Sequence, residues 1–401
     1  MAVNVKVGLI GALDMLKFKN MAKVREKHIQ AAPAKEVCGD FAINANGAAL
    51  HPAFIDVAVL DIINHDSAGA KTFILGKEDG TALPYFRAGQ YLSLKLQIGD
   101  SYITRPYSIS SAPKLALEGK YAVTVRKNPE GFAADWMLEN LKKGDKIVIS
   151  SPQGEFYYEG LRDSSNVVAL AGGSGITPFL SMACAIRDGA EDFNLTILSG
   201  SRTEADILFK NEFDEICETC DKVKIVHVLS EEDREGYEHG FITAELIQKY
   251  ASDDYSVFIC GPEAMYKFAA DEIKKLGLPE RLVRRETLGV TKNVAEREDF
   301  PKEAVGKSFK VTVKQGPTEY VIEAASTEPL LTAFERAGIK APSRCRSGEC
   351  GWCRSRLVSG EVYLPEENEG RRWADKEYGF IHPCASFPVS DLLVEVPGEY
   401  Y

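Results

Sequence analysis

Several hallmarks of other protein classes are missing from this chain of 401 residues. No run of 18 or more apolar residues occurs, so no membrane-spanning helix is predicted. The opening residues, MAVNVKVGLIGALDMLKFKN, lack the charged start, long apolar stretch and cleavage site of a secretory signal. Lysine and arginine number 48 against 59 aspartate and glutamate residues, and the net charge of −11 argues against a nucleic-acid-binding protein. We therefore expect a cytoplasmic protein.

Length and composition indicate a folded protein of several domains. A chain of 401 residues is too long for one compact core, and two to four domains are expected. The apolar fraction of 45% and the charged fraction of 27% are typical of globular proteins. In a reducing cytoplasm, clustered cysteines among the nine present favour metal or redox chemistry over disulfides.

The first 50 residues form a block of their own, which we interpret as a basic helical extension followed by a linker. Six lysine and arginine residues precede residue 28, against two acidic residues, and apolar positions recur at helical spacing. Residues 1–30 could make a peripheral contact with a membrane or a partner, or pack on their own domain. Residues 31–52 are small, mixed and interrupted by Gly and Pro, as in a linker.

Hydrophobic periodicity divides the rest of the chain and predicts a multidomain fold. Residues 51–160 contain short alternating segments separated by turn residues, which predict an antiparallel β-barrel. Residues 161–290 alternate apolar strands with helical stretches, which predict a parallel α/β sheet. Residues 291–305 are charged and aperiodic, so we expect a linker there. Residues 306–401 predict a hairpin, a helix, a cysteine-rich loop and a final strand, an α+β domain.

Four cysteines near the end of the chain have the spacing of a metal centre. Cys345, Cys350 and Cys353 follow a C-x4-C-x2-C pattern, and Cys384 comes after 30 intervening residues. A zinc site usually shows two CxxC or Cys/His pairs, whereas only His382 is available nearby. The pattern resembles that of plant-type ferredoxins, in which four thiolates hold a [2Fe–2S] cluster. The flanking hairpin, helix and strand also resemble a ferredoxin domain of the β-grasp fold.

Four arginines, Arg344, Arg346, Arg354 and Arg356, surround this loop in an otherwise acidic chain. Positive charge beside an anionic cluster would favour its reduced state and raise its potential. It could also steer an acidic docking surface of a protein electron acceptor. The simpler interpretation is solvated surface charge, and the sequence leaves these alternatives open.

A second motif, RPYSISSAP, follows a β segment. Arg105 can pair with a phosphate, Tyr107 offers an aromatic face, and Ser108 offers a hydroxyl group. With Pro106, these residues resemble the flavin-binding RxYS motif of the ferredoxin–NADP reductase superfamily. The resemblance implies that Arg105 contacts a flavin phosphate and that Ser108 lies near flavin N5.

A third motif, GFAADWM, stands where that superfamily has its second flavin-phosphate contact. Backbone amides at a helix start could hold the pyrophosphate there. The superfamily carries a small hydroxyl residue at the fourth position, which is alanine here, so one side-chain bond is lost. The resemblance still favours FAD over FMN. The implied contacts are Gly131, Phe132, Ala133 and Ala134.

The α/β region carries a glycine turn, LAGGSGITPF, between a strand and a helix. Gly173 and Gly175 permit a close backbone approach to a diphosphate, and the helix that starts near Thr177 would attract it. The strict G-x-G-x-x-G fingerprint is absent. The GGxGxxP form resembles the same superfamily. Its next strand places Ser201 and Arg202 at the adenosine ribose, which leaves both NADH and NADPH open.

The segment FICGPEAM completes the resemblance. It implies that Cys260, followed by Gly261 and Pro262, lies against the nicotinamide and flavin N5 and helps to set the hydride geometry. A buried small side chain is the simpler interpretation of Cys260. Glu286 is placed near the nicotinamide by the same resemblance. Leu288 stands where many relatives have an aromatic residue, which removes a stacking partner.

The resemblance covers about residues 50–401, in an order similar to that of phthalate dioxygenase reductase. It implies an oxidoreductase in which a hydride passes from NAD(P)H to the flavin, with Ser108, Cys260 and Glu286 as catalytic residues. Single electrons would then pass through the cluster to an external acceptor. We expect an oxygenase, hydroxylase or demethylase component as acceptor. The alternatives are an anaerobic or membrane quinone-linked acceptor, and a non-catalytic redox sensor.

Overall fold

The computed structural model describes residues 21, 23–31, 41–128, 131–286, 288–289 and 292–398. Residues 23–31 are helical and exposed, and helix α1 (Ala42–Leu50) buries none of its side chains. We predicted a linker around α1, but alanine-rich sequence favours a helix even without a partner to pack on. Most of the predicted basic extension, residues 1–20, lies outside the described residues. Within the described part, no helix is long and apolar enough to cross a membrane.

The first sheet is antiparallel and has the strand order β4-β3-β6-β1-β2-β5. An isolated bridge between Ile109 and Val123 joins the end of β4 to β5, so the sheet curls toward closure as a barrel. Buried aliphatic and aromatic side chains, among them Phe73 and Leu94, fill its interior. Its strands are β1 (Phe54–His65), β2 (Ala70–Gly76), β3 (Tyr91–Ile98), β4 (Ser101–Ser108), β5 (Lys120–Arg126) and β6 (Lys146–Ser150).

The second sheet is wholly parallel, with the order β10-β9-β8-β7-β11-β12. The chain winds outward from β7 through β8 and β9, and then crosses back to place β11 on the other side of β7. Ligands of open α/β sheets bind in the crevice at such a reversal point. The strands are β7 (Asn166–Gly172), β8 (Asn194–Ser201), β9 (Val223–Leu229), β10 (Glu238–His239), β11 (Ser256–Cys260) and β12 (Val283–Arg285).

The third sheet is mixed, with the order β14-β13-β19-β15-β17, and β13 and β19 form its parallel pair. A buried helix covers its core, in which Phe334 is fully enclosed. The strands are β13 (Ser308–Gln315), β14 (Thr318–Ala325), β15 (Ser355–Ser359), β17 (Phe380–Ile381) and β19 (Leu392–Glu395). A separate two-stranded sheet pairs β16 (Val362–Tyr363) with β18 (Phe387–Pro388).

Within the described residues, eight further α-helices connect these strands. The short α2 and the longer α3 belong to the barrel region, α4 to α7 flank the parallel sheet, and α8 and α9 belong to the mixed sheet. Their bounds are α2 (Lys114–Leu117), α3 (Phe132–Asn140), α4 (Thr177–Arg187), α5 (Lys210–Thr219), α6 (Ala244–Tyr250), α7 (Glu263–Leu276), α8 (Leu330–Arg336) and α9 (Trp373–Glu377).

The segment predicted as a linker at 291–305 packs against the mixed-sheet region. Val294, Phe300 and Ala304 are buried with Tyr363 and Phe387 in a small apolar cluster. Arg297 strengthens the contact, since its Nε donates to Tyr363 Oη at 2.8 Å. Three anchors spaced six and four residues apart have no regular periodicity, which is why the sequence pattern did not reveal them.

Candidate functional site

The turn after β7 and the turn after β11 meet at the reversal point of the parallel sheet. A Cβ atom on Gly175 would lie 2.0 Å from the carbonyl oxygen of Cys260, so only glycine fits there. Gly173 has a φ of 54°, a conformation that side chains disfavour. Helix α4 starts directly after this turn at Thr177, whose Oγ1 donates to Ser174 O at 3.0 Å. The amino end of a long buried helix thus faces the crevice.

Cys260 and Glu286 lie close together beside this crevice. The hydroxyl group of Tyr266 donates to the backbone oxygen of Glu286, and Gly261 N–H donates to Tyr266 Oη at 3.3 Å. Glu286 N–H donates to Ile259 O at 3.0 Å, which continues the edge of the sheet. Burial raises the pKa of the Cys260 thiol, so it is neutral. Burial also raises the pKa of Glu286, with further contributions from Glu349 and Cys345.

A cavity of about 510 Å³ joins the three sheet regions. Tyr91 lines it from the barrel, and Leu288 and Glu286 line it from the end of the parallel-sheet region. Cys345 and Cys350 line it from the cysteine loop. This volume lies within the usual range of small-molecule sites. Burial, Cys345 and Glu155 together raise the pKa of Glu349, another lining residue, to about 7.

The RPYS segment forms the end of β4 and runs beside Tyr91. Ser108 is the direct partner of Tyr91 in the β3–β4 ladder, and Tyr107 is the partner of Leu92. Because paired residues share a face, Ser108 lies on the same face of the sheet as Tyr91, which lines the cavity. Pro106 is half-buried on the same strand. Arg105 instead reaches the third sheet region, where its Nη1 lies 3.5 Å from the carboxylate of Glu335 on α8.

Gly131, Phe132, Ala133 and Ala134 form the start of α3, as the sequence predicted a helix start there. Ala133 is buried in the barrel core, while Phe132 is 59% exposed. Ala134 is half-buried and has no polar side-chain atom. Only the backbone amides of this helix start are therefore offered to a ligand.

Ser201 ends β8, and Arg202 follows it at the edge of the crevice. Arg202 Nη2 lies 3.5 Å from Asp206 Oδ1. Arg126, the last residue of β5 in the barrel, reaches the same carboxylate at 2.7 Å. Its Nη1 is also the nearest atom to the position that a Cβ on Gly173 would take, 3.1 Å away. Arg126 thus lies over the glycine turn, between the barrel and the parallel sheet.

The four cysteines of the metal motif converge. Cys353 Sγ lies 3.4 Å from Cys384 Sγ, and the thiol of Cys345 contacts those of Cys350 and Cys384. These contacts lower the pKa of Cys345. Backbone amides point at the sulfurs, since Ser347 N–H and Cys350 N–H both lie 3.4 Å from Cys345 Sγ.

This thiol arrangement fits a binuclear cluster. Among the described residues, no three His, Cys, Asp or Glu side chains surround a single metal position. A [2Fe–2S] cluster needs only two protein thiolates at each iron. His382 is fully buried, and its Nδ1 donates to Gly348 O at 2.5 Å, which ties the loop to the Cys384 segment. Zinc ligation through that nitrogen would break this bond.

The arginines around the loop are mostly engaged with other side chains. Arg346 is buried, with its Nη1 2.5 Å from Glu335, so it cannot belong to an exposed docking surface. Arg344 stacks on Trp352, with 3.4 Å between its guanidinium carbon and the ring centroid. Arg354 pairs with Asp375 and covers the ring of Phe380. Arg356 alone of the four is largely exposed, at 59% of its side chain.

Tyr91, Arg126 and Glu335 are site residues that the sequence reasoning missed. Tyr91 could have been found from its register opposite Ser108, once the β3–β4 hairpin is aligned. Arg126, followed directly by Lys127, stands at the end of an apolar strand, and cations in that position carry a weak signal. Glu335 joins Arg105 to Arg346, which are 241 positions apart in the sequence, and no local pattern marks it.

Three family models match the chain in the order of the three sheets. Residues 58–158 match the oxidoreductase FAD-binding domain, residues 169–271 match the oxidoreductase NAD-binding domain, and residues 313–389 match the 2Fe-2S iron-sulfur cluster binding domain. The chain is an NAD(P)H-dependent flavin and iron–sulfur oxidoreductase. The resemblances drawn from the RPYS, glycine-turn and cysteine motifs are thereby confirmed, as are the three fold classes and the FAD, NAD(P)H and [2Fe–2S] cofactors.

Curated relatives and solved structures agree with this assignment. The glycine betaine monooxygenase reductase subunit of Chromohalobacter salexigens is 27% identical, over 79% of this chain and 89% of that protein. The ferredoxin reductase component of the 3-ketosteroid-9-alpha-monooxygenase of Mycobacterium tuberculosis is 27% identical, over 84% and 94%. The structure of phthalate dioxygenase reductase superposes with a TM-score of 0.61 at 25% identity and covers 86% of this chain and 98% of that one.

Proposed function

We propose that this oxidoreductase is the reductase component of an oxygenase system. One observation carries the proposal: Cys345 and Cys350, Tyr91 and Glu286 line one cavity, so all three domains converge there. When bound, FAD accepts a hydride from the nicotinamide and the cluster carries single electrons onward. The chain brings these groups within reach of one another, which is its main contribution to rate.

At the coenzyme end, Gly173, Gly175 and Thr177 would hold the diphosphate of NAD(P)H. The close backbone approach at Gly175 and the start of α4 support this role. Gly261 and Pro262 would turn the chain beneath the nicotinamide. Two catalytic roles belong here: the neutral thiol of Cys260 would pack against the nicotinamide ring, and the carboxyl group of Glu286 would face it.

At the flavin end, Ser108 would offer its hydroxyl group to flavin N5. Its position opposite the cavity-lining Tyr91 supports this role. Tyr107 and Pro106 would shape the strand beneath the flavin. Arg105 would pair with a flavin phosphate, in competition with its present partner Glu335. The pyrophosphate of FAD would rest on the amides at the start of α3, at Gly131, Phe132, Ala133 and Ala134. Ser201 with Arg202 would bind the ribose of NAD(P)H.

At the exit end, Cys345, Cys350, Cys353 and Cys384 would ligate the two irons. The amides of Ser347 and Cys350 point at Cys345 Sγ and would stabilise its negative charge. The relatives support an oxygenase as the acceptor, because they are the reductase components of a glycine betaine monooxygenase and a 3-ketosteroid-9-alpha-monooxygenase. The oxygenase that this chain serves would receive one electron at a time.

Replacing one cluster ligand tests the order of transfer. Cys350→Ser should abolish the visible absorbance of the cluster and the NAD(P)H-dependent reduction of cytochrome c. Reduction of ferricyanide should continue, since it can take electrons from the flavin. Cys217→Ser, a half-buried cysteine on α5, is the matched control and should keep all three. Survival of the cluster absorbance in Cys350→Ser would refute the ligand assignment.

Two acceptor assays test the rest of the proposal. An oxygenase encoded beside this gene should oxidise its substrate only when NAD(P)H and this chain are both supplied. Reduction of a soluble quinone analogue at a higher rate than the oxygenase would point to the quinone-linked alternative. If neither NADH nor NADPH sustains turnover with any acceptor, the sensor alternative replaces the proposal.

Finer features of the partners are also proposals. The acceptor would present an acidic surface to Arg356 and Arg372, whose side chains are 59% and 76% exposed. We infer a reducing cytoplasm, supported by eight described cysteines that form no disulfide among themselves. Contact of residues 1–30 with a membrane or a partner is tested by liposome flotation of the full chain against a version lacking those residues.

A further inference from the structure

The turns that follow β8 and β9 lie side by side at the coenzyme crevice. The ladder between the strands continues past their ends, since Ser230 N–H donates to Ser201 O at 3.0 Å and Glu231 N–H donates to Arg202 O at 2.9 Å. The turn after the strand next to the glycine loop is where parallel-sheet nucleotide domains meet the adenosine ribose. If the crevice holds a nicotinamide coenzyme as proposed, residues 201–206 and 230–235 would lie around its ribose 2′ group.

These two turns are strongly acidic. They contain six carboxylates and two arginines, Arg202 and Arg234. The carboxylates are Glu204, Asp206, Glu231, Glu232, Asp233 and Glu235. A 2′-phosphate would bring nearly two further negative charges into this surface, whereas a 2′-hydroxyl group brings none and can donate to a carboxylate.

Both arginines of the turns are already paired with carboxylates. Arg234 Nη1 lies 2.7 Å from Glu204 and 3.3 Å from Glu232. Glu204 is itself fixed, because the hydroxyl group of Tyr237 donates to it at 2.5 Å. A phosphate could recruit Arg234 only by breaking this network and leaving two carboxylates without their cation.

Arg202 is held less tightly, at 3.5 Å from Asp206 and with 66% of its side chain exposed. This arginine is the reason why the sequence left NADPH open as an alternative to NADH. Asp206 is well fixed, since Arg126 lies 2.7 Å away and the hydroxyl group of Thr203 donates to it at 3.2 Å. Even a released Arg202 would be one cation against the surrounding carboxylates. Glu231 is the exposed carboxylate residue whose backbone is hydrogen-bonded directly to that of Arg202.

We propose that this acidic pair of turns makes the enzyme specific for NADH and excludes NADPH, with Glu231 as a specificity-determining residue. The inference rests on the proposed use of the crevice for a nicotinamide coenzyme. The carboxylates would repel the 2′-phosphate of NADPH. This repulsion weakens the binding of NADPH, so it raises the KM for NADPH more than it lowers kcat.

Steady-state kinetics with ferricyanide as acceptor test the preference without relying on the cluster. The kcat/KM for NADH should exceed that for NADPH by about tenfold or more, and ADP-ribose should bind the holoenzyme more tightly than 2′-phospho-ADP-ribose by a similar factor. Equal values, or a preference for the phosphorylated forms, would overturn the proposal. Loss of activity with both coenzymes would instead refute the proposed function.

Charge reversal at one residue tests its cause. Glu231→Arg should improve kcat/KM for NADPH relative to NADH by about tenfold, and Glu231→Gln should give a smaller shift in the same direction. Asp271→Arg is the matched control, because it makes the same charge change on α7 at the opposite edge of the sheet, where Asp271 is 75% exposed. An equal shift in the control, or an unchanged ratio in Glu231→Arg, would remove Glu231 from the discrimination.

Discussion

The glycine turn after β7 and the cysteine loop are the two places where we propose that backbone amides support a bound group, yet different contacts shape them. In the glycine turn, the backbone of Gly175 lies so close to Cys260 O that a side chain does not fit. The cysteine loop also has one such position, since a Cβ on Gly348 would lie 2.3 Å from Asn368 O, but side chains hold its backbone in addition: Arg346 has a φ of 60° and is fixed by Glu335, and His382 donates to Gly348 O. Backbone proximity needs glycine, whereas side-chain support can come from anywhere in the chain.

The largest effect is expected where backbone proximity leaves no space. In Gly175→Ala the new methyl group would overlap Cys260 O, and the two turns of the crevice would have to separate. We expect flavin reduction by NADH to slow about a hundredfold, since displacements of about 1 Å can have that effect on reacting groups. Rapid-mixing absorbance of the flavin measures the rate.

Gly200→Ala is the matched control for this substitution. It lies in the same domain on β8, and a Cβ there would have 3.5 Å to its nearest neighbour, an ordinary contact. It should reduce flavin at close to the original rate. If flavin reduction were as fast in Gly175→Ala as in Gly200→Ala, the close approach of Gly175 to Cys260 O would not be needed for the crevice to work. The contrast with the cysteine loop would then disappear.

The next effect probes the side-chain support of the cysteine loop. Glu335→Gln would leave the buried Arg346 without a counter-ion and remove the partner of Arg105. Breaking a buried ion pair on one side costs about 3 kcal/mol, so the cluster should be lost at a lower denaturant concentration. Loss of cluster absorbance during guanidinium titration gives the midpoint.

Glu319→Gln separates this effect from the mere loss of a carboxylate. Glu319 lies on β14 with 55% of its side chain exposed and 4.0 Å from Lys314, so its removal should leave the midpoint almost unchanged. Equal midpoints for the two variants would mean that Glu335 does not support the loop. The cysteine loop would then depend on its thiolates and backbone alone.

The comparison explains how much could be predicted from the sequence. The alternation of apolar and polar residues predicted the barrel, and apolar strands between helical stretches predicted the parallel sheet. Both patterns are readable because burial sets the spacing of apolar residues within each strand and helix. The cysteine spacing and the glycines of the crevice were equally readable. The helix at Ala42–Leu50 and the packed segment around Phe300 were not, since one has no buried face and the other has irregularly spaced anchors.

The parts of the site that escaped prediction depend on contacts between distant segments. Arg126 and Asp206 lie 80 residues apart and belong to different domains, yet their side chains meet over the glycine turn. Glu335 acquires its importance only because α8 packs beside β4 and the cysteine loop. We expected Arg346 to be an exposed charge or a charge that tunes the cluster potential. It is buried instead, because Glu335 supplies a buried counter-ion. Such pairings are set by tertiary packing rather than by local sequence.

A smaller effect is expected from a side chain at the coenzyme crevice. Cys260→Ala removes a buried thiol that we place against the nicotinamide, but it leaves the backbone turn intact. Flavin reduction by NADH should slow about tenfold with FAD retained, which corresponds to about 1.4 kcal/mol of activation free energy. Single-turnover kinetics measure it, and Cys184→Ala, a half-buried cysteine on α4, should leave the rate unchanged. An unchanged rate in Cys260→Ala would show that the crevice acts through its backbone alone.

The smallest effect concerns the exposed rim of the cysteine loop. Arg356 is 59% exposed and its ion pair with Glu395, at 3.7 Å, is itself exposed, so its charge is available to a docking partner while it supports nothing buried. Arg356→Glu should slow electron transfer to the acceptor a few-fold at low salt, with the difference vanishing at high ionic strength, because exposed charges are screened within about 10 Å at 0.1 M salt. Lys310→Glu, an equal charge change on β13, is the control. If Arg356→Glu instead shifted the reduction potential of the cluster and left the salt dependence unchanged, Arg356 would tune the cluster rather than dock the acceptor. The exposed rim of the loop would then act on the cluster as its buried side chains do.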